Sequence, residues 1–240
     1  MSSSDSHFPG LRFLHSPGPT HVPKAVMDAI AEQPMDMADE RLDPLIATCM
    51  SGLRSIMRTK QAEVFIYTAN GHGVWEAVTV NLAAPGQKVL VASTGHFSNS
   101  WAQMTEAMGV AVIRTPYQEG YPINPNDVAT ALASDTEHDI VAVYVVHTDT
   151  ASSITSDVPA IRQAMDRVGH PALLVVDVVA SLAAAKNTKA TVKVLTTSMT
   201  NAAAHAPAIR MTTAQKNATT RTMIEATTKI EWTSWHVCLL

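Results

Sequence analysis

The feature that most constrains the fold is an alternation between continuous β-branched runs and longer amphipathic stretches over residues 63–177. Unbroken apolar runs indicate strands that are buried on both faces of a sheet. Helical segments between such strands indicate right-handed crossovers. The pattern therefore predicts an α/β fold of three layers with a mainly parallel sheet. The predicted strands are EVFIY (63–67), KVLVA (88–92), VAVIRT (110–115), DIVAVYVVH (139–147) and PALLVVD (171–177).

Ligands of such sheets bind beyond the carboxyl ends of the strands, which directs attention to the loops there. The segment YTANGHGVWEA (67–77) is predicted to run from a strand through a small-residue turn into a helix. Backbone N–H groups of Asn70, Gly71 and His72 would point outward at the start of that helix, where the helix dipole favours a phosphate. The segment lacks the GK[ST] of a P-loop and the third glycine of GxGxxG. A glycine-containing turn without a ligand therefore stays open as an alternative.

Asp177 follows five apolar residues at the end of a predicted core strand. An unpaired carboxylate there is costly to desolvate, so it caps the next segment at the solvent-facing strand end or pairs with a cation. The protonated ring nitrogen of pyridoxal phosphate is one such cation.

Two further segments offer candidates at the same sheet edge. VHTDTASSITSDVP (146–159) contains His147 and the hydroxyls of Thr150 and Ser152, which suit either a bound cofactor or a polar turn. In STGHFSNSW (93–101), Phe97 stands where an aromatic ring stacks on a ligand or simply enters the core.

Charge and cysteine content exclude several classes of function. The net charge of -4 argues against a nucleic acid or an anionic membrane as the main partner. Cys49 and Cys238 have no metal-ligand spacing, so neither a zinc site nor a disulfide scaffold is expected. No signal peptide is visible and the apolar runs are too short to span a bilayer, which predicts a soluble cytoplasmic protein.

The two ends of the chain differ from this central pattern. Residues 1–22 are predicted to form an arm that leads into a helix from about Pro23, and a second helix is predicted over 43–59. Residues 186–240 hold 13 of the 26 threonines and no glycine. Their formal charge is +5 (7 basic against 2 acidic residues), whereas residues 1–185 carry -9 (10 against 19). This tail is predicted to be disordered or to result from a change of reading frame near Lys186.

Five motifs in order resemble the class V aminotransferases of the alanine/serine–glyoxylate group: PGPTHVP, NGHGVWEA, GHFSNSW, VHTDTASS and HPALLVVDVVASL, all within about residues 10–185. The resemblance implies the large domain of fold type I, over about residues 23–185, and a homodimer with its site at the subunit interface. It also implies pyridoxal phosphate as cofactor and no metal. By motif, Asn70, Gly71 and His72 match the phosphate-binding turn, and Phe97 matches the ring-stacking aromatic. Thr150 matches a hydroxyl near the ring, Asp177 the partner of the ring nitrogen, and Gly18 the arm that touches substrate.

The sequence departs from the family where the Schiff-base lysine is expected. That lysine should fall within TTSMTNAAAHAP (196–207), which contains none, and Lys216 lies too far along the chain. The C-terminal small domain is also expected to be absent. The predicted function is amino transfer between serine or alanine and glyoxylate, in a chain truncated before its lysine. The alternatives are an inactive fragment that at most binds a phosphate cofactor or a partner subunit, and, with a poor glycine fingerprint, an NAD-binding domain.

Overall fold

The computed structural model describes residues 14–60, 62–184 and 238–239. The chain divides into two compact units, residues 1–46 and 47–240. The first unit contains α1 (Lys24–Ile30), a short helix that buries none of its residues. Helix α2 (Leu42–Ile56) begins in the first unit and ends in the second. The predicted domain boundary after residue 22 stays a prediction.

The second unit is built on a four-stranded, wholly parallel sheet of order β3-β2-β4-β7. Its strands are β2 (Lys88–Ala92), β3 (Ala111–Arg114), β4 (Ile140–Val146) and β7 (Leu173–Asp177). All four were predicted from their apolar runs, and the predicted parallel α/β class is confirmed. Because the strands are parallel, the loops at their carboxyl ends gather at one edge of the sheet.

Helices cover both faces of this sheet, which makes the three predicted layers. Side chains of a strand alternate between the two faces, so Leu90 and Val143 point to one side and Val91 and Tyr144 to the other. Helices α5 (Pro125–Ala133) and α6 (Val158–Val168) pack on the first side through an aliphatic cluster. Helices α3 (Gly71–Leu82) and α4 (His96–Ala107) pack on the other side through a cluster rich in aromatic rings.

Polar residues at the helix ends explain where these helices begin and stop. The side chains of Asn70, Asn124 and Asp157 each accept a backbone N–H of the first turn of α3, α5 and α6. Gly169 ends α6 in the left-handed conformation, with φ 72°.

The first predicted strand is the main difference between expectation and structure. Only Val64–Phe65 forms a strand, β1, and it pairs with β8 (Cys238–Leu239) outside the four-stranded sheet. Ile66 and Tyr67 are partly exposed, so their β-branched and aromatic character is not used in a core. The polar loop after β4 contains an unpredicted hairpin of β5 (Thr148–Asp149) and β6 (Ile154–Thr155). In the part of the chain described here, no helix has the length and apolar character needed to cross a membrane.

Candidate functional site

A cavity of about 140 Å³ lies at the carboxyl ends of β4 and β7, beside the start of α3. Five residues that the sequence singled out line it together: Gly71, His72, Phe97, Thr150 and Asp177. They come from segments up to about a hundred positions apart, and the parallel sheet brings their loops to one edge. The remaining lining residues are Trp75, Val146, Thr148, Val179 and Ala180.

The start of α3 presents backbone donors to this cavity. Asn70 is the N-cap, and its side-chain oxygen accepts the Gly73 amide at 3.1 Å. Among the described residues, the amides of Gly71 and His72 have no hydrogen-bond acceptor. Unsatisfied amides at a helix N-terminus attract an anion such as a phosphate, a sulfate or a carboxylate. Asn70 itself does not line the cavity.

Asp177 adds a carboxylate to the lining of this cavity. One oxygen accepts the indole N–H of Trp75 at 3.0 Å, and the other accepts the amide of Val179 at 2.8 Å. Burial raises the pKa of Asp177, while these two hydrogen bonds and the nearby His72 limit the rise. Each oxygen keeps acceptor capacity, so the carboxylate can still pair with a cation in the cavity.

A residue that the sequence analysis passed over connects Phe97 and Thr150. Asp149 is fully buried, and its oxygens accept the amides of Phe97 (2.9 Å), Ala151 (3.0 Å) and Ser152 (3.2 Å). One carboxylate thus joins the first turn of α4 to the turn that carries Thr150. A β-carbon at Gly95 would lie 2.9 Å from the Asp149 carboxyl carbon, so only glycine fits there without a shift. In the sequence Asp149 is an acidic residue within a polar turn, and such a residue most often bonds only to the backbone of its own turn.

His147 and Ser152, also candidates at this edge, do not line the cavity. His147 is buried, with its Nδ1 2.7 Å from the hydroxyl of Ser181 in the loop after β7. Burial lowers the pKa of His147, and the negative charge of Asp157 only partly opposes this shift. The ring is therefore held in its neutral form. The contact between His147 and Ser181 joins the end of β4 to the loop after β7.

Two sequence predictions lie elsewhere. Gly18 belongs to the amino-terminal unit, where it precedes a cis proline, and that unit is described by itself. The segment 196–207, where the lysine was expected, lies outside the described residues, as does Lys216.

A larger opening of about 410 Å³ lies at the ends of β2 and β3. Its one guanidinium, Arg114, is held by both oxygens of Glu106 at 2.6 and 2.9 Å. Its charge is therefore matched within the protein, and the smaller cavity has the better combination of free donors and a carboxylate.

Comparison with known proteins identifies a family and a set of relatives for this chain. The family described as aminotransferase class V matches residues 12–205, which extends past the limit of 185 set by the motifs. The serine–glyoxylate aminotransferase of Methylorubrum extorquens is 37% identical over 174 residues, 72% of this chain and 43% of that protein. The L-aspartate–glyoxylate aminotransferase of Paracoccus denitrificans is 35% identical over 168 residues, 69% of this chain and 42% of that protein.

A solved structure gives the same answer for the fold. The alanine–glyoxylate aminotransferase of a Nostoc species superposes with a TM-score of 0.62 at 26% identity, over 76% of this chain and 47% of that one. The chain thus spans less than half the length of these relatives. With both the sequence match and the shared fold in hand, the chain belongs to the class V aminotransferase family.

Proposed function

We propose that this chain binds pyridoxal phosphate in the cavity between α3, β4 and β7, as the large domain of an aminotransferase. The observation that supports this most is the lining of one cavity: two backbone amides with no acceptor among the described residues, an aromatic ring and a partly buried carboxylate. The cofactor needs donors for its phosphate, a surface on which its ring stacks and a partner for its ring nitrogen. The amides, the aromatic ring and the carboxylate fit these three needs in that order. When bound, it supplies an electron sink for chemistry at the α-carbon of an amino acid.

In this proposal each residue has a separate task. The Gly71 and His72 amides bind the phosphate, and Phe97 packs against the ring. Thr150 offers a hydroxyl at the ring edge. Asp177 holds a proton on the ring nitrogen, because an ionised carboxylate at hydrogen-bond distance favours the charged form of that nitrogen.

A binding experiment with two aspartate variants tests this site. Asp177→Asn keeps the shape of the side chain but loses the charge-assisted bond, so affinity for pyridoxal phosphate should fall roughly tenfold or more. Asp139→Asn is the matched control, because Asp139 bonds Lys88 at 2.7 Å at the amino ends of the strands, the opposite edge of the sheet. Equal affinities for the two variants would remove Asp177 from the site.

The substrates we propose are a small amino acid, serine or alanine, and glyoxylate. Support comes from the names of the relatives, which pair glyoxylate with serine, aspartate or alanine. Measuring the rate of amino transfer to glyoxylate from serine, alanine and aspartate ranks these amino donors directly. Turnover that does not depend on glyoxylate would contradict its proposed role as acceptor.

A second candidate function is binding without turnover, and a sequence observation favours it. Between Lys193 and Lys216 the chain has no lysine, although the family's covalent lysine is expected at 196–207. Borohydride reduction of the cofactor-loaded chain followed by peptide mapping separates the two candidates. We expect no lysine to be labelled stoichiometrically and no transamination above that of free cofactor. One lysine labelled in full, with turnover lost on its replacement, would establish the aminotransferase.

Homodimerisation and a cytoplasmic location complete the proposal. Val26, Met27 and Ile30 of α1 are exposed apolar residues, as a subunit contact requires. Cys49 is an exposed free thiol, which suits a reducing compartment. Sedimentation velocity and cell fractionation test these two points.

A further inference from the structure

The side chain of Trp75 reaches from α3 to the carboxylate at the end of β7. Its ring is almost wholly buried, and its indole N–H donates to Asp177 Oδ2 at 3.0 Å. The two residues are 102 positions apart in the sequence. An indole N–H donates a hydrogen bond but carries no charge, so it restrains a carboxylate without neutralising it.

The direction of this N–H is fixed by stacking. The Trp75 ring lies parallel to that of Trp101, with centroids 5.2 Å apart and an interplanar angle of 5°. Trp101 stacks in turn on Tyr144 of β4, with centroids 4.4 Å apart. The ring of Phe97 meets Trp75 edge-on at 6.4 Å. The donor therefore sits on a rigid aromatic column that packs on the sheet itself.

We infer that Trp75 is a positioning residue, whose indole N–H holds the Asp177 carboxylate in the orientation that receives a protonated ring nitrogen. The inference rests on the proposed binding of pyridoxal phosphate. Asp177 also accepts the Val179 amide, so the two donors together stop the carboxylate from rotating about its last bond. The acceptor positions that remain free on its two oxygens are then held in a fixed orientation.

A second consequence concerns protonation. Burial raises the pKa of Asp177, and the Trp75 hydrogen bond is one of the contacts that lower it. Without that bond the carboxylate takes up a proton at a higher pH, and a protonated Asp177 cannot hold a cation. Loss of the indole N–H should therefore move the acid limb of cofactor binding to higher pH.

The chain offers a matched pair of variants for the test. Trp75→Phe keeps an aromatic ring in the column but removes the donor. Trp101→Phe makes the same chemical change in the neighbouring ring, whose indole N–H is buried and has no acceptor among the described residues. The probe is 4-deoxypyridoxine 5′-phosphate, which keeps the phosphate and ring nitrogen but has no aldehyde, so binding is reversible and independent of any lysine. Binding is measured by calorimetry, because each variant removes a tryptophan and so changes the fluorescence of the protein.

We expect Trp75→Phe to lower affinity roughly tenfold at pH 7, as for a hydrogen bond to a charged group, and to raise the midpoint of the acid limb. Trp101→Phe should change neither, because phenylalanine keeps an aromatic ring for Trp75 to stack on, although both variants lose core contacts. Two histidines lie near Asp177: His72, which acts on the carboxylate electrostatically, and His147, whose backbone amide donates to the Asp177 carbonyl. Repeating the series with His72→Gln removes the first, and His147 is common to every variant.

The outcomes are separable. If the wild-type chain binds no probe, or if Asp177→Asn binds as well as wild type, the proposed site is wrong and the inference falls with it. If Asp177→Asn binds weakly but Trp75→Phe matches Trp101→Phe in affinity and in pH midpoint, the site stands and the inference is overturned.

A measurement on the wild-type chain covers the case in which Trp75→Phe does not fold. With ¹⁵N-labelled tryptophan, one indole N–H resonance should titrate with pH, and the titration should disappear in Asp177→Asn. If no indole resonance differs in its pH response between wild type and Asp177→Asn, Trp75 does not restrain Asp177.

Discussion

The amides of Gly71 and His72 are the donors on which a phosphate cradle depends. Gly71 is the first residue of α3, a position that tolerates proline because its N–H has no partner within the helix. Asn70, before it, is extended, with φ -83° and ψ 176°, as a residue preceding proline prefers. The chain therefore permits removal of a single donor with the helix retained.

Gly71→Pro should lower affinity for inorganic phosphate and for pyridoxal phosphate roughly tenfold, the loss of one hydrogen bond to a charged group. Gly71→Ala is its control, because the amide is kept and the added β-carbon lies 3.6 Å from Val179 Cγ2, an ordinary contact. Equilibrium dialysis measures both. A similar loss in the alanine variant would mean that space, not the N–H, matters at this position.

At the scale of elements, Asp149 links α4 to the β5–β6 hairpin. Its three nearest donors are backbone N–H groups, one bonded to Oδ2 and two to Oδ1, and the Ser152 hydroxyl lies farther away at 3.5 Å. Asp149→Asn would turn one oxygen into an NH₂ group that faces a donor. The free energy of unfolding should fall by about 1–3 kcal/mol, and cofactor affinity should fall with it, since Phe97 and Thr150 lose their common support.

Asp157→Asn provides the comparison for this change. Asp157 caps α6 with one oxygen, on the Ala160 amide at 3.0 Å, and asparagine is an equally good N-cap. Its effect on unfolding in urea should be near zero. If Asp149→Asn and Asp157→Asn lowered the free energy of unfolding equally, the role of Asp149 as a link between α4 and the β5–β6 hairpin would be wrong.

These elements also show what the sequence could and could not predict. Apolar runs report local burial, so β2, β3, β4 and β7 were predictable, and so was the sheet edge where the lining residues meet. Periodicity says nothing about which distant residues touch. The Asp149–Phe97 and Trp75–Asp177 hydrogen bonds span 52 and 102 positions, and both were missed. The strand predicted at 63–67 was too long, because β-branched residues favour a strand only where neighbours cover them.

At the scale of the whole molecule, two buried histidines tie stability to pH. His147 directly follows β4, and His170 lies near the amino ends of the strands, where its Nε2 is 3.2 Å from Asp135. Burial lowers the pKa of His170; the hydrogen bond to Asp135 opposes this shift and His138, stacked on it at 4.7 Å, reinforces it. The pKa of Asp135 is also lowered by its hydrogen bonds, despite burial, so the pair is a neutral histidine beside a carboxylate.

Because both histidines have lowered pKa values when folded, the unfolded chain binds their protons first as pH falls below about 6.5. The free energy of unfolding should therefore be highest above that pH. It should decline on acidification by at most about 1.4 kcal/mol per pH unit for each histidine, until their folded pKa values are passed. Asp177 acts in the opposite sense: because its pKa is raised in the folded chain, its protonation stabilises the folded state. That protonation takes place at lower pH, nearer the range in which carboxylates titrate.

Urea unfolding at pH 7.5 and 5.5 measures this decline, and His170→Gln identifies its source. Glutamine keeps an N–H for Asp135 but does not titrate, so the variant should lose part of the pH dependence while His147 supplies the rest. Asp135→Asn is not a suitable control, because it also breaks the bonds to the amides of Asp139 and Ile140. His138→Gln is a better one: it removes the ring stacked on His170 but keeps the hydrogen bonds that His170 and Asp135 make, and most of the decline should survive. A wild-type chain equally stable at both pH values would show that His147 and His170 are protonated as easily folded as unfolded.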